Sequence, residues 1–273
     1  MKKTLAMILA LSMAMAMFTG CSGKTEISEV AKSLGLEDGI LHIAVDDTYP
    51  PMEYVNEDGE QVGFDIDLAK AIGEKLGVEI KFISSAWDGI FTGLAAGMYD
   101  VIISSVSMTN GRLETMDFSK PYLANGQVIV VKPGDDSIST GDDLAGKKVG
   151  VQLGTTADDA VIKQMEAVDF EVVKYNDIIG CFNAMKINAI DCIVVDVAVA
   201  MEYVSKSPEE FEISSAQLTN EPIAVAISKG NTALKTAIDN AIDTLAADGT
   251  LSAISVEHLG VDLTKDIDTT LTE

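Results

Sequence analysis

The sequence predicts an α/β protein of two lobes, each built on a mostly parallel sheet and joined to the other by a two-strand hinge. Three observations point there. Short apolar runs alternate with amphipathic stretches, the order that parallel sheets with helices on their faces require. That order occurs twice, over residues 40–104 and again over 148–196. The two units also end alike, with Gly97-Met98-Tyr99-Asp100 before one apolar strand and Asn188-Ala189-Ile190-Asp191 before the other. Gly and Asn tolerate the left-handed turn that closes a helix.

The elements follow in order. Residues 40–45 make an apolar strand, 56–59 a turn, and 61–64 a returning strand. A helix capped by Asp65 carries Ile66, Leu68, Ala69, Ile72 and Leu76 on one face and stops at Gly77. A strand at 78–83, a helix at 87–96 closed by Gly97, and a strand at 101–104 complete the first unit. The second unit reads strand 148–152, helix 156–165, strand 170–175, helix 178–187 closed by Asn188, and strand 192–195. Residues 223–228 form a further strand, 232–247 a helix, and a short helix follows the Asp248-Gly249-Thr250 break to about His258. A chain that crosses back here would place its hinge near 123–126 and 218–222. In open parallel sheets ligands bind outside the carboxyl ends of the strands. Ser104 ends the last strand of unit one and Asp196 that of unit two.

Composition bounds what such a cleft can take. The chain opens MKKTLAMILALSMAMAMFTGCSGK, a charged start, a short apolar run and small residues before Cys21. That is an export signal and not a membrane span, because the run is too short and no stop-transfer charges follow. Without residues 1–20 the chain has 253 residues, with 17 basic and 43 acidic side chains, a net charge of −26. Such a surface repels phosphate backbones, so nucleic acid is not an expected partner. Two remote histidines, His42 and His258, exclude a Ser-His-Asp centre and make zinc unexpected. GVQLGTT has glycines but lacks the lysine of a phosphate loop. Cys181 and Cys192 read as small buried apolar residues, with a disulfide between them left open. Neither a cofactor nor a catalytic residue is expected.

A puzzle remains in DVIISSVSMTNGR, residues 100–112, where an apolar strand ends in hydroxyls and a guanidinium. Buried polar groups of that kind need partners. This stretch, with VDDTYPPMEYVNEDGEQVGFDIDLAKAIGEKLG, WDGIFTGLAAGMYDVIIS, SMTNGRLETMDFSKPYLANGQVIVV, DLAGKKVGVQLGTT and LAADGTLSAI, resembles the polar amino-acid family of extracellular solute-binding proteins. These are the ligand-capturing subunits of bacterial ABC importers, and the likeness runs from about Leu41 to Gly260 in family order.

The resemblance implies the bilobed type II periplasmic-binding-protein fold, closing on one free amino acid, with lobe 1 at 39–124 plus 222–262, lobe 2 at 125–221 and a tail at 263–273. It implies a bidentate Arg112 on the ligand carboxylate, assisted by Thr155 and Thr156 at the opening of a helix. Asp196, the Ser105 carbonyl and the Ser107 hydroxyl would hold the ammonium. Asp46, Tyr49, Trp87, Ser104 and Gln152 resemble pocket-lining positions, Trp87 as an apolar wall or a platform for a guanidinium. Asp46 disfavours an acidic ligand, leaving a basic or neutral polar side chain. Asn110-Gly111 departs from the charged pair usual before the arginine.

The expected partners are a free amino acid, an ABC permease with its ATPase subunits, and a membrane reached through a lipid anchor; the chain is expected to be a monomer. Phe18-Thr19-Gly20-Cys21 resembles a lipobox, with Phe18 departing from the usual Leu, and residues 21–38 read as a flexible linker behind the lipidated Cys21. The competing readings are a dehydratase of small carboxylic acids, which would need a general acid beside the bound carboxylate, and a subunit presenting its ligand to a sensor. If Cys21 carries the lipid, Cys21→Ser moves the exported protein from the membrane fraction to the soluble one; equal retention of both forms would refute the anchor.

Overall fold

In a computed structural model, residues 27–214 and 217–271 are described; Cys21 and its lipobox lie outside them. A short helix, α1 (Glu29–Ser33), precedes β1 (Ile40–Val45). A three-stranded hairpin sheet of β2 (Thr48–Tyr49), β3 (Glu53–Val55) and β4 (Gln61–Val62) follows. Then come α2 (Phe64–Leu76), β5 (Glu79–Ser84), α3 (Trp87–Ala95), β6 (Val101–Ile102), α4 (Asn110–Thr115) and β7 (Met116–Leu123). The chain crosses to a second sheet through β8 (Gln127–Val131), a 3₁₀ turn (Gly141–Leu144), β9 (Lys148–Gln152), α5 (Thr156–Gln164), β10 (Glu171–Tyr175), α6 (Ile178–Lys186), β11 (Cys192–Asp196), α7 (Val197–Lys206) and β12 (Glu212–Ile213). It returns through β13 (Ile223–Ser228) and ends in α8 (Thr232–Ala247) and α9 (Thr250–Leu259).

The two five-stranded sheets have matching orders, β5-β1-β6-β13-β7 and β10-β9-β11-β8-β12. In each, the strands of the repeated unit pair in parallel. The remaining pairings are antiparallel. The sheets are therefore mixed but mostly parallel, with β13 alone reversed in the first and β8 alone in the second. The reason is topological: β8 and β13 each arrive from the other lobe and run against the strand they join.

Both faces of the central strands are covered, which is why they read as unbroken apolar runs. On β13, Ile223, Val225 and Ile227 enter the core that extends through both lobes, while Ala224 and Ala226 face the cluster around Trp87, Ile90 and Leu94. The period of two does the sorting. Gly77, Gly97 and Asn188 adopt the left-handed conformation expected of helix stops. Cys181 and Cys192 are buried and unbonded.

Three sequence expectations change. The strand expected at 101–104 ends at Ile102, because Ser104 and Ser105 bond to side chains and not to a neighbouring strand. Asp65 does not cap α2; Gly63 holds that position, and the buried Asp65 carboxylate turns inward. The stretch assigned to a flexible linker contains α1, capped by the Ser28 hydroxyl, with Ala31, Leu34 and Leu36 buried in the core. The tail is also tied down: the Leu263 carbonyl accepts from the Ala124 N–H (2.8 Å), and the Asn220 amide donates to the Thr270 carbonyl (2.7 Å).

The two crossings run side by side. The Glu221 N–H donates to the Asn125 carbonyl (2.9 Å) and the Leu218 N–H to the Gln127 carbonyl (2.7 Å). Gly126 lies between those bonds, and a Cβ there would collide with the Thr219 carbonyl oxygen. Gly126→Ala is therefore expected to lower the unfolding free energy by about 1–3 kcal/mol. Urea unfolding measures this; an unchanged midpoint would show that the crossings separate freely.

Candidate functional site

The parallel strands of both sheets point their carboxyl ends at one cleft, as the topology requires. From lobe 1, Asp46 follows β1, Tyr49 lies on β2, Trp87 starts α3, Ser104, Ser105 and Ser107 follow β6, and Arg112 lies in α4. From lobe 2, Gln152 ends β9, Thr155 and Thr156 open α5, and Asp196 ends β11. All eleven line the same cavity.

Asp196 stands at the N-cap position of α7, yet its side chain makes no cap bond. Its carboxylate faces the cleft instead. Oδ2 accepts from the Tyr49 hydroxyl (2.8 Å), and Oδ1 accepts from the Asn125 and Gln127 amides (both 2.7 Å). All three donors are neutral. Desolvation, and then the nearby Glu221, push the Asp196 carboxyl up to about 6. It is a buried acid without a cation of its own among the described residues.

Arg112 is the complement. Its guanidinium carbon sits 4.7 Å from the Phe91 ring centroid and 5.6 Å from that of Trp87. Nη1 donates to the Ser107 carbonyl (2.9 Å). Asp117 is spent on Lys229, and Arg112 forms no ion pair within 4.0 Å among the described residues. Its pKa is lowered by desolvation, against the distant pull of Asp159, Glu221 and Asp196. A stacked, half-buried guanidinium with most of its donors uncommitted is a fork set for a planar anion.

Other residues take roles that the sequence did not assign. Trp87 supports the protein's own Arg112, and its indole N–H donates across the cleft to the Gly154 carbonyl (3.0 Å). The Ser104 hydroxyl is used on both sides, accepting from the Asp46 N–H (2.9 Å) and donating to Glu53 (2.6 Å). Thr155 caps α5, and the Gly154 N–H is taken by Asp158 (3.0 Å), so that N–H is not offered to a carboxylate. The Thr156 hydroxyl accepts from Gln127 (3.1 Å). Asp46 accepts from Thr48 (2.6 Å) and, across the cleft, from the Gln152 amide (2.9 Å); burial raises its pKa.

Sequence reasoning missed Asn125, Gln127, Glu53 and Phe91. Asn125 and Gln127 lie in and just past the crossing 123–126, and Phe91 lies one helical turn after Trp87, a spacing that puts both rings on one face. Glu53 carried no signal beyond its place in PPMEY.

Residues 41–261 match the model of the bacterial extracellular solute-binding proteins, family 3. The chain is 34% identical to the L-cystine-binding protein TcyJ of Escherichia coli (strain K12), over 93% of this chain and 95% of that protein. An ancestral arginine-binding protein bound to arginine superposes with a TM-score of 0.78 at 40% identity, covering 81% of this chain and 99% of that one. The same kind of protein bound to glutamine gives 0.76 at 41% identity, covering 81% and 98%. Fold, cleft and sequence agree, and the chain belongs to the bacterial extracellular solute-binding proteins, family 3.

Proposed function

We propose that the chain is the extracytoplasmic subunit of an ABC importer, lipid-anchored at Cys21 and monomeric, that captures one free polar L-amino acid and delivers it to a membrane permease. One observation carries this reading. Among the described residues, a guanidinium without an ion pair and a carboxylate without a cation line the same buried cavity, each bonded only to neutral groups. An α-amino acid places a carboxylate and an ammonium on one carbon and supplies both missing charges at once.

The side-chain preference follows from the acceptors left over. The Gln152 amide nitrogen is spent on Asp46, and that of Gln127 on Asp196, Thr156 and Glu221. Their orientation is thereby fixed, and both carbonyl oxygens are buried without a donor. With the Asp46 carboxylate beside Gln152, the pocket asks for a ligand end that donates hydrogen bonds, so a basic or neutral amide side chain suits it and an acidic one does not. The relatives bound to arginine and to glutamine are consistent with that class.

Capture requires movement. The cavity encloses about 20 Å³, room for roughly one water molecule. It is bridged by Tyr49–Asp196, Asp46–Gln152 and Trp87–Gly154 bonds between the lobes. The lobes part at the crossings 123–126 and 218–222 and close again on the ligand. Small-angle scattering should show a smaller radius of gyration at saturating ligand; an unchanged profile, with the ligand-free form as compact as the bound one, would count against a hinge.

Calorimetry separates recognition of the common ends from recognition of the side chain. Arg112→Ala and Asp196→Ala should each weaken L-arginine and L-glutamine alike, by about 2–5 kcal/mol, because the ligand's opposite charge is left buried and unpaired. Asp46→Asn should cost L-arginine much more than L-glutamine. Wild-type affinity in Arg112→Ala would end the carboxylate assignment.

Asp196 also makes a prediction about the ligand-free fold. With its pKa raised to about 6, the folded chain holds a proton that the unfolded chain releases near pH 4. The contribution is present in full below about pH 4 and lost as pH rises through 6, to the extent of about 3 kcal/mol. Urea midpoints taken across that window should fall in the wild type and fall less in Asp196→Asn; parallel curves would show that Asp196 is not the group responsible.

A further inference from the structure

We propose that Glu53 is a positioning residue of the ammonium subsite: it holds the Ser104–Ser105 turn as a neutral carboxylic acid sharing one proton with Asp65. The inference deepens the proposed function, since that turn is the ammonium subsite only under the amino-acid-binding reading; the shared proton stands apart from it.

Two carboxyl groups bond to the Ser104–Ser105 turn; Glu53 also lines the cavity, and Asp65 does not. Glu53, on β3, is 1% exposed, and Asp65, in the first turn of α2, is 0% exposed. The titratable groups facing Glu53 are Asp46 after β1, Asp65 on α2, Tyr49 on β2 and Tyr122 on β7. None of them is a cation. No group of metal-ligating side chains forms among the described residues either. Two adjacent carboxylates in such a place do not both ionise, and one proton between them resolves the conflict.

The hydrogen bonds decide which group keeps it. Asp65 accepts three: from the Ser105 N–H (2.6 Å), the Ser105 hydroxyl (3.1 Å) and the Tyr122 hydroxyl (2.8 Å). Donors of that number stabilise an anion. Glu53 accepts one, at Oε1 from Ser104 (2.6 Å), while its buried Oε2 has no donor facing it. An acidic O–H on Oε2, directed at the Asp65 carboxylate that grips the next residue of the same turn, accounts for that atom. Burial drives Glu53 toward the neutral form for the same reason.

What the pair holds is a strained turn. Ser105 has φ of 47°, a conformation that a residue with a Cβ rarely adopts. Asp65 grips Ser105 by N–H and hydroxyl, and Glu53 fixes Ser104, whose hydroxyl in turn receives the Asp46 N–H. The conformation of Ser105 at the cavity wall is thus set through the bonds that Glu53 and Asp65 make to the turn. Ionising Glu53 would place two negative charges under one turn and loosen it.

Difference infrared spectroscopy on the ligand-free full chain tests the proton directly. At slightly alkaline pH, where Asp196 is ionised, the wild type should show the carbonyl stretch of a buried protonated carboxyl, and Glu53→Gln should lack it. A wild type without that band, or a band that survives in Glu53→Gln, would overturn the proposal. Calorimetry with L-arginine then tests the positioning: Glu53→Gln, which keeps a neutral group able to donate, should bind within about threefold of wild type, while Glu53→Leu and Asp65→Asn should each lose at least about tenfold. A folded Glu53→Gln that loses tenfold would show that the charge on Glu53 is what matters, against the proposal. Failure of L-arginine to bind even the wild type would fall on the amino-acid reading, leaving the infrared result to decide the shared proton.

Discussion

Burying a carboxylate costs several kcal/mol unless charge or dipoles replace its water, and Asp196 is given only neutral donors for the purpose. Tyr49 reaches it from lobe 1, and Asn125 and Gln127 from the crossing between the lobes. The arrangement spans both halves of the molecule, so the position of one carboxylate depends on how the lobes sit. It also stays incomplete, because neutral dipoles offset desolvation without supplying a charge. That incompleteness is what a binding site needs: a fully compensated Asp196 would have nothing left to gain from a ligand.

Arg112 is incomplete in the same way, by different means. Aromatic faces orient a guanidinium without neutralising it, and Trp87 and Phe91 meet edge to face with ring centroids 5.1 Å apart, which keeps the platform rigid. The carboxylates that act on Arg112 from a distance, Asp159 and Glu221, belong to lobe 2 and the crossing. Glu221 is itself held by Gln127 and Thr219 and stays away from an ion pair that would close the fork. The cleft therefore keeps opposite charges apart until something with both arrives, and the stability forgone is converted into affinity.

The parts of this that the sequence displayed are those with local causes. Apolar periodicity marked β13 and α8 to the residue, and the Gly and Asn stops marked the ends of α2, α3 and α6, since each depends on neighbours a few positions away. Site residues were legible where hydroxyls and a guanidinium stood at a strand end with no structural reason to be there, as Ser105, Ser107 and Arg112 do. Asn125 and Gln127 were not legible: their role exists only because the crossing passes under β11, a contact made across about seventy residues of chain. Asp65 misled for a related reason. An acid in the first turn of a helix is ordinarily a cap, and nothing near it reveals that Ser105 and Tyr122, some forty and fifty-seven positions on, claim it instead. The one reversed strand in each sheet was not legible, because strand direction is fixed by which lobe a strand comes from, not by its composition.

Under the proposed function, that exchange of strands would let a cleft so dependent on geometry open without losing it. Each crossing leads directly into a buried antiparallel strand of the other sheet, β8 after 124–126 and β13 after 218–222. β8 is buried along its whole length, and β13 at every position but the last. Close-packed interiors transmit strain and do not absorb it, so the torsion of opening falls on the short segments between the sheets. There the crossings bond to each other and to the tail through Ala124 and Asn220, which limits the directions in which they can bend. Asn125 and Gln127 are part of that segment or adjoin it, so the residues at the crossing are also those that hold Asp196. Any movement of the lobes and the environment of the Asp196 carboxylate are therefore one variable, because parting them would withdraw Tyr49 from Asp196 and rehydrate it.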